Sequence, residues 1–263
     1  MPAPRPYPLD YREGQYAYIE RENNALLALF ERHVLGGRPA PRVLDVGAGA
    51  GANVRALKKL APAAHITAIE PNAAAAALAA SAADEVFQGS LEAWLETKTV
   101  AKFQVVMLSD VIEHVENPVR FLERLLGHAS VEGALFLVSV PNYAVWYNRV
   151  TTLLGRFDYS WSGLRDRTHL RFFTRSSIRE LLEYVGLDVL EQTATPSLAQ
   201  AAAPWLRRLF ERDVERGDHL SLQSSRWYRG YGRWVEPLET RICGIWPQLF
   251  GFQIVSAARA KQL

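Results

Sequence analysis

The chain has 263 residues, 49% of them hydrophobic and 22% charged, which is enough to bury the core of one elaborated α/β domain. Its formal net charge of +2 excludes a strong overall field toward nucleic acid or membranes, so any basic patch has to be local. The single cysteine, Cys243, excludes an intrachain disulfide framework and a thiolate zinc cluster. Because no apolar run resembles a signal peptide or a membrane-spanning helix, the composition predicts a cytoplasmic protein.

Short apolar runs alternate with helical segments along the first half of the chain. A helix is predicted over residues 15–35, where it meets the helix-ending pair Gly36-Gly37. The strands that follow are near-continuous apolar runs, as expected of a parallel sheet that is covered by helices on both faces. The predicted strands are 42–46, 65–69, 86–87, 103–108 and 134–140, and the predicted helices between them are 52–60, 72–83 and 118–126.

Two further strands and an insertion complete the predicted fold. A helix over 174–184 is capped by Thr174, and strands are predicted over 187–193 and 252–257. This order predicts a Rossmann-like, doubly wound α/β fold with a seven-stranded, mostly parallel sheet and a helical, aromatic insertion before the last strand. The predicted organisation is an N-terminal arm and lid helix (1–40), a core (41–195), an insertion or cap (196–247) and the last core strand (248–263).

A glycine-rich loop follows the first predicted strand. The segment Asp45-Val-Gly-Ala-Gly-Ala-Gly51 leads into a helix whose free N–H groups and positive dipole favour an anionic group. Gly47, Gly49 and Ala52 also satisfy the dinucleotide fingerprint. Glu70, which ends the second strand, suits the ribose hydroxyls of a dinucleotide or of another nucleoside cofactor. The loop by itself therefore predicts a nucleoside cofactor and leaves its identity open.

Asp45 distinguishes a dinucleotide site from a site for a nucleoside cofactor with an ammonium group, because an acid two residues before the first glycine can contact such a group. With this acid the sequence resembles the class I S-adenosylmethionine-dependent methyltransferases, whose motif reads D/E-x-G-x-G-x-G. The segments 103–115 and 132–142 are similar to the fourth strand, its following loop and the fifth strand of that family. The resemblance implies S-adenosylmethionine as the cofactor, bound by Asp45, Gly47, Ala48, Gly49, Gly51, Glu70, Pro71, Ser90, Leu91, Ser109 and Asp110.

Asp110, Glu113 and His114 have the spacing i, i+3, i+4, which places three side chains on one face if the segment is helical. Such a group favours a divalent cation. Here the sequence resembles the ubiquinone-biosynthesis O-methyltransferases and the small-RNA 3′-terminal 2′-O-methyltransferases, which carry acid-x-x-Glu-His and a further histidine downstream. His169 lies where that histidine falls, so the resemblance implies a Mg or Zn site of Asp110, Glu113, His114 and His169.

Two readings without a metal remain open for the same residues. In one, the catalytic residues are His169, Asp110 and His114, with His169 as a general base that accepts a hydroxyl proton in its ordinary titration range. In the other, Asp110 contacts the substrate, Glu113 and His114 form a hydrogen-bonded loop network, and His169 is structural.

An arginine-rich segment lies between Arg149 and Arg179, with seven arginines and interleaved aromatic residues. It is predicted to be either a lid that binds the acceptor or a solvated basic face. The expected reaction is O-methylation of a hydroxyl on a small-molecule, sugar or lipid-linked acceptor. Alternatives are a small-molecule N-methyltransferase, an RNA 3′-terminal 2′-O-methyltransferase and a non-catalytic S-adenosylmethionine-binding protein. No RNA-binding module is recognisable, which disfavours a nucleic-acid partner, while the insertion suits a peripheral membrane contact or a homodimer.

Overall fold

The computed structural model describes residues 22–35, 40–97, 102–160, 163–196, 233 and 236–261. The strands are β1 (Arg42–Val46), β2 (His65–Glu70), β3 (Glu85–Gln88), β4 (Phe103–Ser109), β5 (Ser130–Pro141), β6 (Leu187–Pro196) and β7 (Gly251–Ala260). The α-helices are α1 (Asn24–Val34), α2 (Ala52–Leu60), α3 (Ala73–Ala79), α4 (Leu91–Leu95), α5 (Pro118–Arg124), α6 (Trp146–Leu153), α7 (Arg175–Tyr184), α8 (Glu236–Ile245) and α9 (Pro247–Phe250). A 3₁₀ turn covers Ile112–His114, and a π-helical turn covers Leu125–Ala129.

The strands form one sheet with the order β3-β2-β1-β4-β5-β7-β6. Its first five strands pair in parallel, and only β7 runs antiparallel to its two neighbours. The predicted Rossmann-like, doubly wound and mostly parallel sheet is therefore confirmed. The strand order reverses between β1 and β4, and ligands bind outside the carboxyl ends of the strands at such a switch point.

Helices cover both faces of the sheet, as the two faces of β4 illustrate. Val105 and Met107 pack on the side of α1 and α2, whereas Val106 and Leu108 pack on the side of α5 and α7. All four side chains are buried. A strand with two buried faces needs apolar residues at every position, which explains the uninterrupted apolar runs in the sequence.

The two longest predicted helices are shorter in the structure. Helix α1 begins at Asn24, because the Asn23 side chain accepts a hydrogen bond from Leu26 N at 3.1 Å and caps the helix; residues 15–21 lie outside the described chain. Helix α3 ends at Ala79 rather than Ala83, although alanine favours helix throughout. The chain leaves the helix there because Asp84 N already bonds to Ile66 O beside β2. Tertiary pairing overrides the local propensity.

Most of the insertion and of the N-terminal arm, residues 197–232, 234–235 and 1–21, lie outside the described residues. The described end of the insertion is helical. Helix α8 packs against β6 through the buried Cys243, whose sulfur lies 3.6 Å from Ala194 O. Among the described residues no helix has the length and apolar character needed to cross a membrane.

Candidate active site

The glycine loop makes a tight turn between β1 and α2. The N–H groups of Gly47 and Ala48 both donate to Ile69 O, at 2.8 and 3.1 Å, which ties the loop to the end of β2. Gly47 has φ 71° and Gly51 has φ 83°, a region that favours glycine. A Cβ on Gly47 would lie 2.7 Å from a methyl carbon of Val111, and one on Gly51 would lie 2.9 Å from Ala79 Cα. The turn therefore requires glycine at both positions.

Glu70 supports this loop from the adjacent strand. Its carboxylate accepts hydrogen bonds from Gly49 N and Asn72 N, both at 2.8 Å, and the side chain is buried. Each carboxylate oxygen has a second lone pair, so Glu70 can still accept from a hydroxyl group. Glu70 thus has both a structural role in holding the loop and the expected position for a ribose contact.

Asp45 lies on β1 beneath the loop, fully buried, and neither of its carboxylate oxygens has a hydrogen-bond partner. Burial raises the pKa of Asp45 to about 7, and the nearby Glu70 carboxylate adds to the rise. An unpaired buried carboxylate is costly to a protein. A cationic ligand group beside it would supply the missing partner.

The remaining predicted contacts lie at the ends of neighbouring strands. Pro71 follows β2 directly, and Ser90 and Leu91 follow β3. The Ser90 hydroxyl caps α4 by accepting from Ala93 N at 3.3 Å, and Leu91 is buried in the core. The structure therefore assigns Ser90 a capping role and Leu91 a packing role at the expected edge of the sheet.

Asp110 follows β4 and is held by two other strands, β5 and β7. Ser139 Oγ on β5 donates to one carboxylate oxygen at 3.2 Å, and Gln253 Nε2 on β7 donates to the other. Ser109 Oγ lies 3.3 Å from Ser139 Oγ, which extends the network. Burial raises the pKa of Asp110 to about 6, although the hydrogen bonds from Gln253 and Ser139 oppose the rise. Asp110 is the one described non-glycine residue with positive φ, at 55°.

Asp110 does not belong to the group of potential ligands that the other three predicted metal residues form. The spacing of Asp110, Glu113 and His114 would bring three side chains together only in a continuous helix. The helical turn instead begins at Ile112 and has 3₁₀ geometry, while Asp110 is left-handed and bonded toward β5 and β7.

Glu113, His114 and His169 do converge. One potential ligand atom from each residue lies within 4.8 Å of the other two, and the histidine rings meet edge to face with centroids 4.8 Å apart. His114 Nδ1 lies 3.2 Å from Thr168 O, and His169 Nδ1 lies 3.2 Å from Leu164 O. Backbone carbonyls commonly orient histidines in this way, so that the Nε2 atom carries the lone pair.

The electrostatics of this cluster favour neutral forms. Burial raises the pKa of Glu113 well above its usual range, and Asp110 and Asp166 add to the rise. Burial lowers the pKa of His114 to about 4, with His169 contributing, and it lowers the pKa of His169 as well. Neither oxygen of the buried Glu113 carboxylate has a hydrogen-bond partner. The cluster therefore offers two neutral imidazoles and one unpaired acid to a ligand.

The loop that carries His169 is shaped by Asp166, which the sequence motifs do not single out. Asp166 Oδ1 accepts from Thr168 N at 2.9 Å and from Thr168 Oγ1 at 2.7 Å, and His169 N donates to Asp166 O. An Asp-x-Thr sequence is a recognisable signal for such a turn. Gln253 was also missed, and its signal was a polar residue inside the apolar run of β7.

The arginine-rich segment is partly structural. Arg165 Nε donates to Asn148 Oδ1 at 2.7 Å, and its guanidinium carbon lies 5.1 Å from the Phe157 ring centroid. Arg175 and Arg179 both donate to Gln192 on β6. Arg149 and Arg171 donate to backbone carbonyls. Most of these arginines therefore hold the fold together in addition to supplying charge.

The sequence also matches a family model described as a methyltransferase domain, over residues 15–192. This segment contains the glycine loop, Glu70, Asp110 and the Glu113–His169 cluster. The chain belongs to the class I S-adenosylmethionine-dependent methyltransferases. The match does not distinguish the ubiquinone-biosynthesis branch of this methyltransferase family from the others. No curated protein matches the sequence.

Solved structures with the same fold include several methyltransferases. A S-adenosylmethionine-dependent methyltransferase from Archaeoglobus fulgidus superposes with a TM-score of 0.53 and 18% identity, over 90% of this chain and 93% of that one. A putative sarcosine dimethylglycine methyltransferase from Galdieria sulphuraria gives 0.57 and 18%, over 90% and 84%. Magnesium protoporphyrin IX methyltransferase from Synechocystis PCC 6803 gives 0.55 and 12%, over 90% and 83%. These identities show a shared fold.

Proposed function

We propose that this methyltransferase transfers a methyl group from S-adenosylmethionine to a hydroxyl group of a small-molecule, sugar or lipid-linked acceptor. The observation that carries the proposal is the unpaired, buried Asp45 carboxylate directly under a glycine loop. S-adenosylmethionine has an ammonium group for Asp45, a carboxylate for the start of α2 and ribose hydroxyls for Glu70. No dinucleotide offers an ammonium group at that position, so Asp45 favours the methyl donor.

The chain's own residues prepare the cofactor end of the site. Gly47 and Gly51 let the loop lie close to Val111 and to Ala79 at the end of α3, so that backbone rather than side chains faces the ligand. Glu70 fixes the loop through Gly49 N. The neighbouring structures of this fold include one with bound S-adenosylhomocysteine, the product of methyl transfer, which supports the same use of the fold here.

The acceptor end supports transfer to oxygen. Because a hydroxyl must lose its proton, a site for O-methylation needs a proton acceptor, and a neutral imidazole serves this purpose. In the proposed reaction the acceptor oxygen bonds to the methyl carbon while sulfur keeps the electrons of the broken C–S bond. The hydroxyl proton passes to His169 Nε2, since Nδ1 is engaged with Leu164 O. Asp166 and Thr168 hold the loop that positions this ring.

A divalent metal is a second way to use the same cluster. Glu113, His114 and His169 would hold the ion, and the orphaned Glu113 oxygens fit such a ligand set. A bound cation would lower the pKa of an acceptor hydroxyl and align neighbouring oxygens. Since the combination of one carboxylate and two imidazoles suits zinc better than magnesium, zinc is the metal to test first.

Calorimetry with S-adenosylhomocysteine tests the cofactor part of the proposal. The native protein is expected to bind, and Asp45→Ala and Glu70→Ala are expected to bind at least about tenfold more weakly. Glu85→Ala is the matched control, because Glu85 lies at the opposite end of the sheet, where β3 begins. Absence of binding by the native protein would refute the proposal. A panel of hydroxyl and amine acceptors with labelled methyl donor then tests the preference for oxygen.

A further inference from the structure

An exposed apolar surface lies where α6 ends. Leu153 is 87% exposed and Leu154 is 67% exposed, and Val150, one turn earlier, is also exposed. Single exposed leucines are common on protein surfaces, but three large apolar residues at one helix end form a local patch. Val150, Leu153 and Leu154 are called the apolar tip below.

Exposed aromatic rings follow the apolar tip along the chain. Phe157 packs edge to face against Tyr159 at 5.3 Å and against Phe172 at 5.8 Å between centroids, and Tyr143 lies 5.1 Å from Phe172. Phe157, Tyr159 and Phe172 are themselves exposed. The rings pack against one another, and exposed aromatic rings of this kind favour a membrane–water interface.

The charged residues around the apolar tip are mainly positive. Arg149, Arg156 and Arg171 are exposed beside it, and Asp158 is the one acid among the exposed residues of 149–159 and 170–172. Apolar side chains ringed by arginine are complementary to an anionic lipid surface, which offers both acyl chains and negative head groups. A protein partner would require matching acids, whereas a bilayer supplies the charge without specific geometry.

The segment that carries the aromatic rings is also hydrogen-bonded to the turn that carries Glu113 and His114. The N–H groups of Leu170 and Arg171 donate to Glu113 O at 2.8 and 3.0 Å, and Tyr143 N donates to Phe173 O at 2.7 Å. The surface that carries the tip and the turn that carries Glu113 and His114 therefore form one unit at the carboxyl end of β5. His169 directly precedes Leu170 in the same unit, so an acceptor held by that unit has this histidine on the bonded segment.

We infer that the apolar tip docks this enzyme onto an anionic membrane surface, with Leu153 and Leu154 inserted among the lipids and the arginines on the head groups. The acceptor would then be a lipid-linked molecule whose polar part extends from the membrane into the site. This statement about the acceptor rests on the proposed function. Docking itself does not, because it requires neither the cofactor nor turnover.

Co-sedimentation with vesicles tests the docking. The probes are vesicles of phosphatidylcholine alone and of equal parts phosphatidylcholine and phosphatidylglycerol, without cofactor. The native protein is expected to bind the anionic vesicles, and the variant Leu153→Ser/Leu154→Ser is expected to bind at least about tenfold more weakly. Arg156→Gln is expected to weaken binding by severalfold at low salt. Leu78→Ser and Lys59→Gln, exposed residues on α3 and α2, are the controls and should bind like the native protein.

Further measurements separate the outcomes. The thermal midpoint of the double variant should equal that of the native protein, because both leucines are exposed. The inference is overturned if native protein does not bind anionic vesicles. It is also overturned if the double variant binds them as well as native protein does. A native dimer that the double variant loses, without vesicle binding, would make the tip a contact between copies of the chain and also overturn it. S-adenosylhomocysteine calorimetry on the same samples shows separately whether the proposed function fails.

Discussion

Gln253 on the last strand donates a hydrogen bond to the Asp110 carboxylate, across 143 residues of sequence. The same amide accepts from Thr195 Oγ1 at 3.1 Å and from Asn23 Nδ2 at 3.4 Å. Asn23 N in turn donates to Asn53 Oδ1 on α2 at 2.8 Å. Gln253 therefore connects three elements: the start of α1, helix α2 and the loop after β4. We infer that it positions Asp110.

Replacing Gln253 tests this positioning role. In Gln253→Leu the carboxylate loses a donor that lowers its pKa, so the pKa of Asp110 should rise above about 6. Methyl transfer should then fall severalfold near pH 6 and recover toward pH 8, as measured by the pH–rate profile. Gln104→Leu is the control, because Gln104 is an exposed glutamine on β4 that bonds only to Arg42 N among the interactions described. An unshifted profile would limit Gln253 to packing.

Asp45→Asn is expected to stabilise the protein without ligand and to weaken its cofactor binding. The native pKa of about 7 exceeds the unfolded value near 3.8, so the folded state holds an extra proton between these values. Stability therefore falls as pH rises through this window, and the loss is complete above about pH 7. Urea unfolding should show the variant gaining more than about 1 kcal/mol relative to native protein at pH 8, and less at pH 5.

The same carboxylate predicts pH-dependent cofactor binding. An ammonium group binds the ionised form of Asp45, so the affinity of native protein for S-adenosylhomocysteine should rise from pH 6 to pH 8. In Asp45→Asn the affinity should be lower by about tenfold or more at pH 8, and nearly independent of pH. Equal affinity in both proteins would show that Asp45 does not contact the ligand.

Gly47→Ala should destabilise the protein and impair cofactor binding. The new methyl group would lie 2.7 Å from Val111 Cγ2, and alanine is strained at φ 71°. The expected cost is about 1–3 kcal/mol in unfolding free energy. The double variant Gly47→Ala/Val111→Ala removes the contact but keeps the strain, so it should recover only part of the loss. Full recovery would show that the conformation of Gly47 is unimportant.

His169→Ala separates chemistry from cofactor binding. Because the proposal assigns His169 to the acceptor hydroxyl, the variant should bind S-adenosylhomocysteine like native protein while turnover falls by about 100-fold. His128→Ala changes an exposed histidine in the π-helical turn and serves as the control. Unchanged turnover in His169→Ala would assign this histidine a structural role.

Metal titration decides whether the Glu113 cluster holds a cation. If zinc binds there, the metal-free protein should take up one equivalent in calorimetry, and Glu113→Gln should weaken binding by about tenfold or more. Glu116→Gln is a nearby exposed control. Native protein that takes up no zinc, magnesium or manganese, and keeps its turnover after chelation, would leave His169 as a proton acceptor without a metal.

The sequence predicts features that are repeated along the chain better than features set by distant contacts. The strands could be predicted because both of their faces are buried. In β4, for example, Val105 and Val106 are buried on opposite faces, which gives a continuous apolar pattern. The spacing that groups Asp110 with Glu113 assumes a helix, whereas Asp110 has a left-handed backbone and its carboxylate is bonded to Gln253 and Ser139. No local pattern reports a partner on β7.

The cofactor-binding residues could be predicted in part from the sequence. Glycines at Gly47 and Gly51 were expected from the motif, and the contacts with Val111 and Ala79 supply their physical reason. The motif did not indicate that Glu70 would hold the loop through Gly49 N, or that Asp45 would lack any partner. Sequence spacing identifies residues that share a site, but it does not indicate which of them already have hydrogen-bond partners within the protein.

The segment between β5 and α7 is anchored at both ends, where Asn142 bridges Phe173 and Leu170 N bonds to Glu113 O. The glycine loop is held separately, by Ile69 O and by the Glu70 carboxylate. We therefore expect changes around His169 in this segment to alter the choice of acceptor while cofactor binding is kept, as in a replaceable cassette. Diverged relatives that share the anchors but differ between them are expected to modify different molecules with the same methyl-donor chemistry.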